Sequence, residues 1–256
     1  MILEYKAAQN LIEKFMNIII TYYISCYNEV NTIIEAIEDI VKLPINNKEI
    51  IVVDNNSYDG TIEKLKNYQI KNSKIKIIFN PKNLGSQSFL IAKKMANGKY
   101  FYNHHGDREY DHNKTLEMID IAEKNNLDVI FASRLKKKIY SDGYLKLLKA
   151  NIYYLGTIVL TFLCNILYKK KFTDILGTKL FKLNSIKNIP YDTLKMHTGE
   201  FYYVSRLLSS NLKMSEVEIE YTPRKFGRKS IKWFHLFIGI YIIIKIKLKS
   251  IFNSRL

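Results

Sequence analysis

Between residues 17 and 134, short β-branched runs alternate with segments of helical spacing, and this alternation restricts the fold more than any other feature. "FMNIIITYYIS" reads as a strand, and "EVNTIIEAIEDIVKL" sets Ile33, Ile34, Ile37, Ile40 and Val41 on one helix face. The pattern repeats through "KEIIVVDNNS", "DGTIEKLKNYQIK", "KIKIIFN", "SQSFLIAKKMAN", "GKYFYN", "NKTLEMIDIAEKN" and "LDVIFASR". Strands and helices in this order predict an α/β fold, a mostly parallel sheet with helices on both faces. Such sheets bind ligands at the carboxyl ends of their strands. Here those ends carry Asn28 and Glu29, Asp54 to Ser57, Asn80 to Asn83, His105 to Asp111, and Ser133 with Arg134. The polar residues therefore gather on one predicted edge.

The regularity weakens after Arg134. Residues 151–168, "NIYYLGTIVLTFLCNILY", run for 18 residues without a charge, with Thr157, Thr161 and Asn165 at four-residue intervals on one helix face. By length this stretch is a borderline membrane span, while the polar stripe favours a helix lying in a membrane interface or partly packed on the domain. The tail "WFHLFIGIYIIIKIKLKSIF" has 12 uncharged residues before Lys245, Lys247 and Lys249, which predicts a second interfacial helix within a basic amphipathic segment, 232–256. Residues 1–15 are expected to form a helical extension; residues 1–10 are mixed polar, without a signal-peptide pattern. Cys26 and Cys164 form no ligand-spaced pair and fit a reducing cytosol.

A net charge of +16 suits nucleic acid, anionic lipid or phosphorylated small molecules as partners, or a merely soluble basic protein. No zinc-finger spacing or RNA-binding signature accompanies it, so no nucleic-acid partner is expected. Lys136 to Lys138, Lys169 to Lys171 and Arg224 to Lys232 each border apolar sequence, which favours an anionic membrane surface.

Two motifs carry candidate chemistry. "IIVVDNNSYDGT" is strand, acidic turn and helix start: Asp54 can accept from a nucleobase N–H, and the helix opening at Asp59-Gly60-Thr61 favours an anion. Equally, Ser57 or Asp59 can simply cap that helix while Gly60 serves the turn. "YFYNHHGDREYDH" ends a strand in His104, His105, Asp107, Glu109 and Asp111, either a metal loop or a solvated turn.

In order along the chain, "SCYNE", "VVDNNSYDGT", "NPKNLG", "HHGDREYD", "ASR", "TDILGTKLFK", "GEFYYVSRLL" and "EIEYTPRKFGRKS" resemble the family 2 glycosyltransferases of the Rossmann-like GT-A fold. Dolichyl- and polyprenyl-phosphate sugar transferases are the most similar group, and the resemblance covers about residues 17–232. It implies a catalytic domain over residues 16–231. It also implies that Tyr27, Glu29 and Asp54 surround the base and ribose of a sugar nucleotide, with Ser57 and Asn83 on the same donor. Asp107 would be the last acid of an Asp-x-Asp motif, binding a divalent cation shared with the donor diphosphate. Arg134 would face an acceptor phosphate, and Arg224, Lys229 and Ser230 would close over the diphosphate. The chain departs from the pattern twice: His105 stands at the first acid, and Lys229-Ser230 reverses the usual order of hydroxyl and cation. Mg²⁺ can rest on Asp107 with Glu109 and substrate oxygens, whereas an imidazole ligand from His105 favours Mn²⁺. His105 can instead touch the donor directly or pack the loop. His104, His112, His197 and His235 are expected to be ordinary surface or packing residues.

The resemblance implies an inverting enzyme at the cytoplasmic face of a membrane, held peripherally. It would move a hexose from a UDP- or GDP-sugar to a polyprenyl phosphate. A lipid phosphate with a second pKa of about 6 is already mostly dianionic and needs no base. The alternative is a saccharide hydroxyl acceptor in cell-surface glycan assembly, with Glu200 as general base, although Glu200 can equally cap a helix. A third alternative is a non-catalytic sugar-nucleotide-binding protein in which His105 marks lost catalysis.

Overall fold

The computed structural model describes residues 18–150, 152, 154–190, 199–223 and 232–253. The expected extension over 1–15, His197, and the closing residues Arg224, Lys229 and Ser230 lie outside the described residues.

The chain runs β1 (Ile20–Cys26), α1 (Ile33–Val41), β2 (Lys48–Asp54), α2 (Thr61–Lys71), β3 (Lys76–Phe79), a 3-10 turn (Gly85–Gln87), α3 (Ser88–Met95), β4 (Tyr100–His105) and α4 (Lys114–Lys124). It continues through β5 (Val129–Ser133), α5 (Lys136–Ala150), α6 (Tyr154–Tyr168), β6 (Lys179–Lys182), α7 (Leu183–Ile186), α8 (Gly199–Leu208), β7 (Met214–Glu218) and α9 (His235–Asn253). The seven strands form one sheet in the order β3-β2-β1-β4-β6-β5-β7. β6 runs antiparallel to both β4 and β5, and every other pairing is parallel. The expected mostly parallel sheet is therefore present. The insertion of β6 between β4 and β5 is what the alternating pattern did not reveal, because a four-residue strand has no periodicity of its own.

Side chains alternate across each strand, so each face of the sheet needs its own cover. Ile20, Tyr22 and Ile24 of β1 meet Ile33, Ile37 and Ile40 of α1, Leu65 of α2 and Met118 of α4. On the other face, Tyr23, Phe101, Phe131 and Phe181 meet Phe89 of α3, Leu160 of α6, Phe201 and Val204 of α8, and Ile242, Ile243 and Ile246 of α9. Burying each of these large side chains stabilises the fold by roughly 1.5–3 kcal/mol. The tail helix thus shares a core with the sheet. Gly177 lets β6 enter: a Cβ there would lie 1.9 Å from the Ala132 carbonyl oxygen.

The polar stripe of α6 points inward. Thr157 and Thr161 are buried, and the Ile175 N–H donates to Thr161 Oγ1 at 3.2 Å. Asn165 brackets Phe172, donating to its carbonyl at 2.8 Å and accepting its N–H at 2.9 Å. The irregular stretch 172–175 needs backbone partners inside the protein, and the stripe supplies them. The outer side of α6 is consequently apolar, with Phe162 65% exposed. Among the described residues, no helix is long and apolar enough to cross a membrane.

Candidate active site

Strand register aligns the site. Cys26 lies opposite Asp54 on β2, and Ser25 opposite His105 on β4, so the ends of β1, β2 and β4 finish level on one edge. The loops after β1 and β2 are joined crosswise. The Asn28 N–H donates to Ser57 Oγ (2.8 Å), the Tyr58 N–H to Asn28 Oδ1 (3.0 Å), the Glu29 N–H to Thr61 Oγ1 (3.0 Å) and the Val30 N–H to Asp59 Oδ2 (3.1 Å). Asn28 takes a left-handed φ of 56° to make this turn. The carboxylate of Glu29 accepts the Thr32 hydroxyl at 3.1 Å.

Asp54 is fully buried. Its Oδ1 accepts the Ser57 N–H at 3.0 Å and its Oδ2 the Ser57 hydroxyl at 2.5 Å, with the Cys26 thiol 3.6 Å away. In this arrangement Asp54 and Ser57 hold the turn together. Burial and the neighbouring Asp54 carboxylate push the Cys26 thiol well above its ordinary pKa. Tyr27 and Tyr58 stand outside the turn, 42% and 81% exposed, with ring centres 6.1 Å apart. Asn83 is occupied locally, its Oδ1 accepting the Gly85 N–H at 2.8 Å.

The three expected metal ligands do not converge. Arg108 adopts a φ of 57° and reverses the loop, and its guanidinium pairs with Asp39 (2.6 Å) and Glu35 on α1. Beyond that reversal, Glu109 accepts the Tyr221 hydroxyl at 3.0 Å, and His105 lies against the Tyr110 ring at 5.4 Å. Among the described residues, no group of three His, Cys, Asp or Glu side chains is placed to hold a metal. Asp107, half-buried at the end of β4, accepts the Glu109 N–H at 3.3 Å. The donor set fits a cation resting on one carboxylate and completed by substrate oxygens; it does not fit an all-protein cage. His104 is sealed in the opposite core, where burial, with His105 and His112 nearby, pushes its pKa down to about 3. Neither ring nitrogen of His104 has a partner among the described residues.

Arg134 is held in a two-pronged ion pair. Its Nε donates to Asp174 Oδ2 at 2.7 Å and its Nη2 to Asp174 Oδ1 at 3.0 Å. The fork lies over the Tyr221 ring at 5.6 Å. Burial would raise the Asp174 pKa, but the guanidinium and two backbone N–H groups outweigh it and hold the carboxyl below the usual range. A phosphate would have to share Arg134 with Asp174. Behind the pair, Glu216 accepts the N–H groups of Thr173 (2.8 Å) and Asp174 (2.9 Å), while burial pushes its own pKa up.

Beside His105 the edge opens into a cleft of about 220 Å³ on the α8 face of the sheet. Glu200, in the first turn of α8, lines it with 45% of its side chain exposed and accepts from Lys179 Nζ at 3.0 Å. Lys179 is nearly buried, donates also to the Gly177 carbonyl at 2.7 Å, and lies 5.4 Å from the Phe131 ring centre. Sequence reasoning missed Tyr58, Asp174 and Lys179. The last two sit inside the quoted "TDILGTKLFK", where a buried acid and a strand lysine were the available signals.

The glycosyl transferase family 2 model matches residues 21–188, which hold β2 to β6 in full and all of β1 but Ile20, and leave out β7. The chain belongs to glycosyl transferase family 2. The "Cholesterol galactosyltransferase" of Borreliella burgdorferi is 32% identical to this family 2 chain over 112 residues, 43% of this chain and 31% of that protein. The chain thus matches less than a third of that curated relative. Among solved structures, the fold resembles S. aureus TarS 1-349 in complex with UDP (TM-score 0.60, 16% identity, 92% of this chain and 66% of that one). It also resembles the mannosyltransferase PcManGT of Pyrobaculum calidifontis with GDP-Man and Mn²⁺ (TM-score 0.54, 13% identity, 81% and 58%). A third is glucosyl-3-phosphoglycerate synthase of Mycobacterium tuberculosis with Mn²⁺, UDP and glucosyl-3-phosphoglycerate (TM-score 0.57, 14% identity, 93% and 81%). At these identities the structural likeness establishes the fold alone.

Proposed function

We propose that this family 2 chain is an inverting glycosyltransferase that moves a hexose from a UDP- or GDP-sugar to a polyprenyl phosphate at a membrane surface. The observation that carries the reading is the level edge of β1, β2 and β4, which runs from the exposed Tyr27–Tyr58 pair past Asp107 into the Glu200 cleft. The aromatic pair supplies π-faces for a base, and the cleft a polar, partly apolar pocket for a sugar. The UDP and GDP-Man in the similar structures support a nucleoside diphosphate donor.

Asp107 is the residue that would hold a divalent cation, Mg²⁺ or Mn²⁺, together with the donor diphosphate. Mn²⁺ in two similar structures supports this. When bound, such a cation neutralises negative charge growing on the leaving diphosphate. Arg224, Lys229 and Ser230 are proposed to add cationic and hydroxyl contacts to that leaving group. Lys179 orients Glu200 in the cleft, and α6 and α9 face lipid. Their outward apolar residues Phe162, Ile166, Phe237 and Leu248, beside the exposed Lys245 and Lys249, support docking on an anionic leaflet.

A second reading, a hydroxyl acceptor on a saccharide or lipid, is favoured by Glu200 lining the cleft and by the relative named for a sterol acceptor. Glu200 would then take the proton from the attacking hydroxyl. Radiolabelled UDP- and GDP-sugars assayed with membranes and Mg²⁺ or Mn²⁺ test both. Label should enter the organic phase, and Asp107→Ala should cut transfer at least ~100-fold. Undiminished transfer by Asp107→Ala would overturn the donor assignment. Glu200→Gln should cost about 10²–10⁴-fold with a hydroxyl acceptor and only a few-fold with a lipid phosphate.

A further inference from the structure

The α8 face of the sheet changes character along its central strands. β4 presents Phe101, Asn103 and His105 to that face, and β1 presents Tyr23 and then Ser25. Phe101 is core, Tyr23 is core and also borders the cleft, and Asn103, His105 and Ser25 line it. Two buried polar atoms at this boundary lack partners among the described residues: Asn103 Oδ1, on β4, and Ser86 Oγ, in the turn before α3. Both residues line the same cleft as Glu200 and Lys179. Neither atom is misplaced by a loose backbone. The Asn103 carbonyl accepts the Thr178 hydroxyl, which ties β4 to the start of β6. The turn carrying Ser86 is closed by Ser88 Oγ donating to the Gly85 carbonyl at 2.6 Å.

Buried acceptors and hydroxyls are satisfied in nearly all folded proteins, so two orphans in one open cleft call for a ligand that supplies the missing partners. The lining also includes the apolar side chains of Phe89, Phe181 and Val204. A pyranose ring has that dual character, with apolar C–H patches and a rim of hydroxyls. The cleft holds about the volume of seven waters, which suits one ring. We propose that Asn103 and Ser86 read hydroxyls of the transferred sugar and are specificity-determining residues for the donor. A sugar hydroxyl donates to Asn103 Oδ1, and Ser86 Oγ exchanges a hydrogen bond with a second. This inference rests on the nucleotide-sugar reading above and assigns its selectivity to two residues outside the diphosphate contacts.

The test is calorimetric titration of the full chain with UDP, GDP, UDP-glucose, UDP-galactose, UDP-N-acetylglucosamine and GDP-mannose, in wild type, Asn103→Leu, Asn103→Asp and Ser86→Ala. A site that hydrogen-bonds a hydroxyl discriminates steeply once the bond is lost. Asn103→Leu is expected to weaken binding of the preferred sugar nucleotide relative to its parent nucleotide by ~10-fold, and to alter the ranking of sugars. Asn103→Asp, which keeps an acceptor oxygen, should recover most of that loss, and UDP or GDP alone should bind within ~2-fold of wild type. If Asn103→Leu fails to fold, Ser86→Ala still gives the same readout. Nucleotides that bind normally while the ranking stays fixed would overturn the assignment of Asn103 and Ser86 alone. Wild-type protein that binds neither UDP nor GDP would overturn the donor reading itself, and this inference with it.

Discussion

The two faces of the sheet are built from the same strands and end differently. On the α1, α2 and α4 side, β1 stays apolar through Ile20, Tyr22, Ile24 and Cys26, and the core is closed by Ile33, Leu65 and Met118. On the α8 side the same strand gives Tyr23 and then Ser25, and β4 gives Phe101, Asn103 and His105. One face is apolar to its end; the other turns polar two residues short of it. Because alternation is fixed by the backbone, a chain can place chemistry on one face without weakening the other. His104 is the exception on the closed side, a buried imidazole with no partner among the described residues.

Breaking the anchor of the polar face should have the largest effect. Asp174→Ala leaves the Arg134 guanidinium buried and unpaired, and should cost about 3–5 kcal/mol in denaturant unfolding. The same pair predicts the acid limb of stability. The folded Asp174 pKa is depressed below an unfolded value of about 3.9, so its contribution is complete above that pH and disappears as pH falls through the folded value. Asp174→Asn should flatten the stability–pH curve below about pH 4; an unchanged slope would show that Asp174 does not titrate with folding.

Smaller effects sharpen the contrast between the faces. Lys179→Met removes the cation beside Glu200 and should reduce transfer by ~10-fold or more in kcat, with the melting temperature little changed. A large loss of stability with normal kcat would make Lys179 a core residue. His104→Leu replaces an orphaned polar ring with an apolar side chain and should leave stability equal or raise it by about 1 kcal/mol. A marked loss would show that the closed face uses His104. Phe162→Ser with Phe237→Ser should shift unfolding by less than ~0.5 kcal/mol, because both side chains are exposed, while reducing co-sedimentation with anionic vesicles. Unchanged sedimentation would remove the outer helices from the membrane reading.

Much of this was legible in the chain itself. The alternation of "IIIT", "EIIVVD", "KIIF" and "YFYN" with helical segments required an α/β sheet, because a continuous apolar strand must be covered on both sides. The ordered polar strand ends indicated the site edge and the family. The orientation of individual polar groups was not legible, since each depends on partners distant in sequence. Asp54 turns inward because Ser57 and Cys26 hold it, Arg134 is engaged because Asp174 arrives 40 residues later, and Glu109 leaves the metal loop because Tyr221 lies beside it. The α6 stripe shows the same division. Its four-residue spacing established one polar helix face, but only the backbone of residues 172–175, brought against it by the tertiary fold, decided that this face points into the protein and the apolar one outward.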